Sequence, residues 1–228
     1  NSVNTDVSSS VDQINTYTSQ IANLNTQISK LTTSDGSAPN DLLDQRDQLV
    51  NSLNNVVGVT VSKQDGNYIV SMGSTTLVNG KNTTQLVAMP SSSDPSRTTV
   101  GYVDKLAGNV EIPEKTLTTG SLGGLLAFRT QDLDTAQNQL GQLAAAFTTS
   151  FNAVQTAGYD SNGDKGSDFF TIGSPTVLSN TKNTGTAEVT AAWSDSSALK
   201  ASNYTVSYDG SNWSVTRMSY NVKVSATS

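Results

Sequence analysis

The chain has 228 residues, enough for one or two domains with cores of their own, and only 14% of them are charged. A net charge of -6 runs against a nucleic acid or an anionic membrane as partner, because both select for basic patches. Cysteine and histidine are both absent, which removes disulfides, thiolate chemistry, the commonest general base and the commonest transition-metal ligand.

The opening residues, Asn1-Ser-Val-Asn-Thr-Asp6, carry neither a basic n-region nor an apolar h-region, so no cleaved signal peptide is expected. With no initiator Met and a start inside a helical pattern, the sequence reads as an internal piece of a longer chain. Val7, Ile14, Ile21 and Ile28 form one seam; Val3, Tyr17, Leu24 and Leu31 form a second, with Ser10 its only polar member. Alternating steps of three and four place both seams on one helix face, as in a coiled coil or long bundle helix. A shorter helix follows, with Asn40 as its expected N-cap and Leu42, Leu43, Leu49, Val50, Leu53 and Val57 on its core face.

After Val57 the period changes from seven to two. Asp65-Gly66 separates two alternating runs, the sequence of a primed hairpin turn, and Asn79-Gly80 marks a turn between Leu77-Val78 and Gln85-Leu86-Val87. Met89-Pro-Ser-Ser-Ser-Asp-Pro-Ser96 reads as a loop, followed by strands at 98–103 and 109–112, the latter ended by Pro113. Residues 58–118 are therefore expected to be a small antiparallel insertion between helices.

A third helix is expected over 121–157, roughly 55 Å long at 1.5 Å per residue. Its seam is Leu126, Leu133, Leu140, Phe147 and Val154, with Leu122, Ala136, Leu143 and Ala157 beside it and Arg129 and Ser150 as interruptions. Neither apolar seam can stay exposed, so the two are expected to pack together or against a partner outside this sequence. The expected helical core is Ile14, Ile21, Leu24, Ile28, Leu126, Leu133, Leu140, Leu143 and Phe147, and Leu140→Ala should leave a cavity in it. Beyond Ala157 the chain turns β-rich, with Tyr204, Val206 and Tyr208 alternating before the Asp209-Gly-Ser-Asn212 turn and Trp213 and Val215 after it. Val222 and Val224 begin a further strand, and the polar stretch 180–187 reads as a loop or weak edge. The expected fold is α+β: an elongated helical bundle domain over 1–157 with a β insertion at about 58–118, then a β-rich outer domain over 158–228, expected to be incomplete in this sequence.

Site-like motifs are few. Asp160, Asn162, Asp164 and Asp168 fall at the first, third, fifth and ninth positions of a calcium loop, but Lys165 replaces the turn glycine and Thr171 the closing bidentate Glu. No metal site is expected there. Gly120-Ser-Leu-Gly-Gly124 opens a helix but lacks the Lys-Ser/Thr ending of a phosphate loop, so it reads as close helix packing. Arg46 with Asp47, and Arg129 with Asp132, are the candidates for ion pairs within the bundle or for contact with a neighbouring subunit. No pair of carboxylates is placed to face across a cleft and no serine has a histidine partner, so neither catalysis nor a cofactor is expected.

Several words of the sequence, in shared order, carry a resemblance. They are Val11-Asp-Gln-Ile-Asn15, Leu42-Leu-Asp-Gln-Arg-Asp-Gln-Leu-Val50, Pro90-Ser-Ser-Ser-Asp-Pro-Ser-Arg-Thr-Thr99, Ile112-Pro-Glu-Lys115, Thr119-Gly-Ser-Leu-Gly-Gly124 and Phe128-Arg-Thr-Gln-Asp-Leu133. Together they resemble the bacterial flagellar hook-associated protein of the hook–filament junction. The resemblance implies a non-enzymatic axial subunit that joins hook to filament, with a helical inner and a β-rich outer domain. It also implies export without a cleaved signal peptide, and contacts with other copies and with neighbouring axial proteins on the hook and filament sides. In that family the terminal helices drive polymerisation; they lie outside this sequence, so the chain is expected to be monomeric in solution. The alternative is a surface-exposed module whose β domain recognises a glycan or host protein, with Tyr204, Tyr208 and Trp213 as a stacking platform, although such residues more often pack a sheet core.

Overall fold

The computed structural model describes residues 2–32, 37–194, 198 and 200–224. It divides into two compact units, Asn1–Phe128 with Asn180–Thr184, and Arg129–Ser179 with Gly185–Ser228. The expected boundary at 157/158 falls inside the second of these.

Helix α1, Ser2–Leu31, buries Val7, Val11, Ile14, Thr18, Ile21, Ala22, Leu24, Asn25 and Ile28. The first seam is buried along its whole length, whereas the second holds only Leu24, and Leu31 is 57% exposed. A further row, Val11, Thr18 and Asn25, widens the buried face. The width is needed because α1 packs against α2 (Asn40–Val56), α3 (Gly120–Ala127) and strands of two sheets at once. Helix α2 takes its cap position at Pro39, with no side-chain cap. The expectation of Asn40 as N-cap is thus corrected: the Pro39 carbonyl accepts the first helical bond, from Leu43, and Asn40 is already inside the helix.

The first sheet is a meander of β1 (Thr60–Gln64), β2 (Asn67–Met72), β3 (Thr75–Asn79) and β4 (Asn82–Thr83). Its first turn holds Asp65 at φ 51° and Gly66 at φ 78°, the two positive values a primed turn demands. Tyr68, Val70 and Met72 then point to the core in alternation. The second turn, after Met72, was not foreseen. Asn79-Gly80 leads only into the two-residue β4, which corrects the expected pairing with 85–87. Instead β5 (Leu86–Pro90) pairs with β6 (Thr98–Asp104), and β6 with β7 (Gly108–Glu111), in a separate sheet. As an edge strand, β5 tolerates Pro90 at its end.

The expected third helix is not one regular helix. α3 is followed by a π segment, Phe128–Leu133, and then by α4, Asp134–Ala157. A π turn breaks the seven-residue register, so the burial of Leu122 and Leu126 is not carried down the chain. In consequence Leu140, Leu143 and Phe147, expected in the helical core, are 67%, 65% and 58% exposed, and Leu133 is half-buried. The α1 face that was to cover them is occupied by α2, α3 and the two sheets.

In the second unit β8 (Tyr204–Tyr208), β9 (Trp213–Arg217) and β10 (Val222–Val224) form an antiparallel sheet in the order β10-β9-β8. The Asp209 carboxylate accepts the Ser211 and Asn212 amides at 2.9 and 2.7 Å, which fixes the expected turn.

Candidate subunit interface

Three asparagines of α1 set the position of the β insertion, each using its side-chain amide as a substitute peptide group. Asn4 donates to the Ser96 carbonyl at 2.8 Å and accepts from the Thr98 amide at 2.9 Å. Asn15 does the same with both backbone groups of Leu86 on the edge strand β5, at 2.8 and 2.9 Å. Asn25 pairs with both backbone groups of Tyr68 at 3.0 Å and also donates to the Gly80 carbonyl at 2.9 Å. Buried polar groups must be matched, and here helix side chains complete strand ladders.

Arg46 completes the deepest of these sites. A candidate for an ion pair with Asp47 or for contact with a neighbouring subunit, it is 2% exposed. Its guanidinium donates to Asn25 Oδ1 at 2.9 Å and to the Gly66 carbonyl at 3.1 Å, and lies over the Tyr68 ring, 3.6 Å from the centroid. The acceptors are neutral oxygens; Asp47 receives the Tyr68 hydroxyl rather than the Arg46 charge. Burial, reinforced by Asp47 and opposed by Arg46, raises the Tyr68 pKa, so the phenol remains a donor. Arg46 and Asp47 thus meet through Tyr68. Their joint task is to hold α1, α2 and the first hairpin in one arrangement.

Arg129 lies in the π segment and is 5% exposed, whereas Asp132, three residues on, is exposed. Two of the glycines of Gly120–Gly124 serve packing: a Cβ at Gly120 would stand 2.5 Å from the Val56 carbonyl oxygen, and one at Gly123 2.5 Å from the Thr118 carbonyl carbon, whereas one at Gly124 would meet open space. In the 160–168 loop the Asp160 carboxylate accepts the Asn162 and Asp164 amides at 2.8 and 2.9 Å, and those backbone bonds lower its pKa. The motif is a local turn tied off by its own carboxylate. Tyr204, Tyr208 and Trp213 are about half-exposed, so they do not fill a sheet core, and Tyr208 and Trp213 stack with centroids 5.0 Å apart.

The surface that remains is apolar and lies on α4. Leu140, Leu143, Phe147, Phe151 and Val154 recur at steps of three and four and are all exposed. The stripe is continued by Phe169 and Phe170, whose backbone is held by Asn152 of α4: its Oδ1 accepts both amides at 3.0 Å and its Nδ2 donates to the Phe170 carbonyl at 2.7 Å. Phe147, Phe151, Phe169 and Phe170 form one aromatic cluster with neighbouring centroids 4.9–6.1 Å apart. Contiguous exposed apolar surface of this kind marks an interaction site.

The Asn180–Thr184 stretch forms no strand. It docks on the first unit instead: the Thr181 amide donates to the Ser92 carbonyl at 2.8 Å, and Lys182 Nζ meets Glu111 Oε2 at 2.7 Å. No sequence motif announced it, since the contact joins residues 71 positions apart.

Residues 1–170 match the model of the flagellar hook-associated protein FlgK helical domain, and residues 178–228 that of the flagellar hook-associated protein 1 D2-like domain. The flagellar hook-associated protein 1 of Escherichia coli (strain K12) is 56% identical over 99% of this chain, covering 42% of that protein. Its counterpart in Salmonella typhimurium is 57% identical over 99% of the chain and 41% of its own length. A solved structure, the flagellar hook junction protein FlgK from Burkholderia pseudomallei, matches with a TM-score of 0.90 at 41% identity, over 98% of this chain and 41% of that one. The chain therefore spans about two fifths of the length of these relatives.

Proposed function

We propose, because the chain belongs to the flagellar hook-associated protein 1 family, that it is a structural part of the bacterial flagellum acting at the junction of hook and filament. The single observation that carries this reading is the match of both family models, which between them cover nearly the whole chain. In this reading residues 1–157 are the helical domain with its β insertion, and 158–228 the β-rich outer domain. The partners are further copies of the same protein and the axial proteins on either side. Location is extracellular, on the flagellum, after export without a cleaved signal peptide. The protein has no catalytic role. Arg46 acts inside the fold, whereas Asp47, which accepts the Tyr68 hydroxyl, and Asp132 are both exposed and are the charged candidates for contact with a neighbour. The chain by itself is monomeric in dilute solution, which sedimentation at several concentrations measures directly.

Immunogold labelling of isolated flagella tests the location. Label confined to the boundary between hook and filament supports the reading, and label along the filament or on the cell body overturns it.

A further inference from the structure

The Asn180–Thr184 segment sits apart from the chain on either side of it: it is grouped with the first unit, while residues 179 and 185 belong to the second. Few bonds hold it there. The Thr181 amide donates to the Ser92 carbonyl at 2.8 Å, and Lys182 Nζ donates to Glu111 Oε2 at 2.7 Å. The receiving carboxylate is itself fixed, because Glu111 Oε1 accepts the Ser91 hydroxyl at 3.2 Å and the Ser92 amide at 3.3 Å. The same serine loop thus orients the carboxylate and offers the carbonyl. Among the described residues around it, Gly101, opposite Glu111 on β6, has no side chain, and the cation of the neighbouring loop, Arg97, is paired with Asp94 at 2.8 Å. The Lys182 side chain is 63% exposed and that of Glu111 11%, so the catch is anchored on one side and free to leave on the other.

We propose that residues 180–184 form a releasable strap, latched to the end of β7 by the Lys182–Glu111 pair and freed when that pair is broken. Burial opposes the charge on Glu111, but its hydrogen bonds from Lys182, Ser91 and Ser92 prevail, so the catch is closed at neutral pH. Release lets the segment move without disturbing β5, β6 and β7, whose ladder does not include Glu111's side chain.

Limited trypsin digestion of the full chain, followed by mass spectrometry, reads the latch at the Lys182–Asn183 bond. Lys105, in the exposed β6–β7 turn, serves as the internal reference. Cleavage of an opened segment tracks the population of the open form when reclosing is fast. Glu111→Gln is expected to speed cleavage after Lys182 about threefold to tenfold, the range for a charge-assisted bond with one exposed partner, and to leave Lys105 unchanged. Lys182→Arg keeps both the ion pair and a trypsin site, and cleavage there should likewise speed up when Glu111→Gln is added to it. Hydrogen exchange at the Thr181 amide gives a second reading, faster in Glu111→Gln. The strap is refuted if wild-type Lys182 is cut as fast as Lys105, if Glu111→Gln leaves Lys182 protected, or if both sites speed up together because the sheet has opened.

Discussion

Asn25 is the residue on which the polar interior of the first unit depends. It is fully buried and holds four bonds, to both backbone groups of Tyr68, to Gly80 and to Arg46. Asn25→Ala should cost at least about 3 kcal/mol, because it strands several buried groups at once and each costs about 1–3 kcal/mol. In a double-mutant cycle with Arg46→Ala the two losses should fall well short of adding, since either change breaks the same node; additive losses measured by urea unfolding would refute the shared network. Glu111 gives a prediction in pH. Its pKa is lowered from 4.5 to about 2 in the folded chain, so its contribution to stability is present above pH 4.5 and lost as pH falls toward 2. Protection of the Thr181 amide should fade in that window, and Glu111→Gln should abolish the pH dependence. None of this was legible beforehand. A lone Asn or Arg in an apolar stripe reads as an interruption, and its partners are brought to it only by the fold. The one available signal was spacing: Asn4, Asn15 and Asn25 recur about every three helical turns, which puts them on a common face.

Elements were more legible than residues, to the extent that their signals are local. The first seam of α1 and the Asp65-Gly66 turn could be read directly, because each rests on a period or on two adjacent positive φ values. Sheet membership could not. Asn79-Gly80 correctly marks a turn, but which strand follows is decided by what α1 offers, and Asn15 holds Leu86 in the other sheet. The π segment was equally hidden, since a count of sevens assumes an unbroken i→i+4 ladder. The consequence is measurable. Leu122, fully buried in α3, should lose ~2–5 kcal/mol on replacement by Ala, whereas Leu140→Ala, at 67% exposure in α4, should change stability by less than ~0.5 kcal/mol. Comparable losses at the two positions, in denaturant melts of this chain, would restore the uninterrupted seam.

At the scale of the molecule the two units differ in what holds them. Every apolar residue of the main core cluster, from Val7 to Leu126, belongs to the first unit. In the second, among the described residues, Ala145 is the only buried apolar side chain, Phe147, Phe151 and Phe169 of the aromatic cluster are exposed, and so is strand β8. Hydrophobic burial is the dominant favourable term in folding, so the second unit is the less stable one. The sequence supplies its own reporters, because both tryptophans, Trp193 and Trp213, lie in the second unit, while Tyr17, Tyr68 and Tyr102 pack against the core of the first. On heating, tryptophan fluorescence should therefore change at a lower temperature than hydrogen exchange at amides of the first unit. Two-state unfolding requires all probes to coincide. Coincident midpoints would mean that the units stabilise each other, and that the exposed stripe of α4 is less independent than its burial implies. A gap between the midpoints that narrows when a partner binds would identify the second unit as the part completed by assembly, since a ligand stabilises only the state it binds.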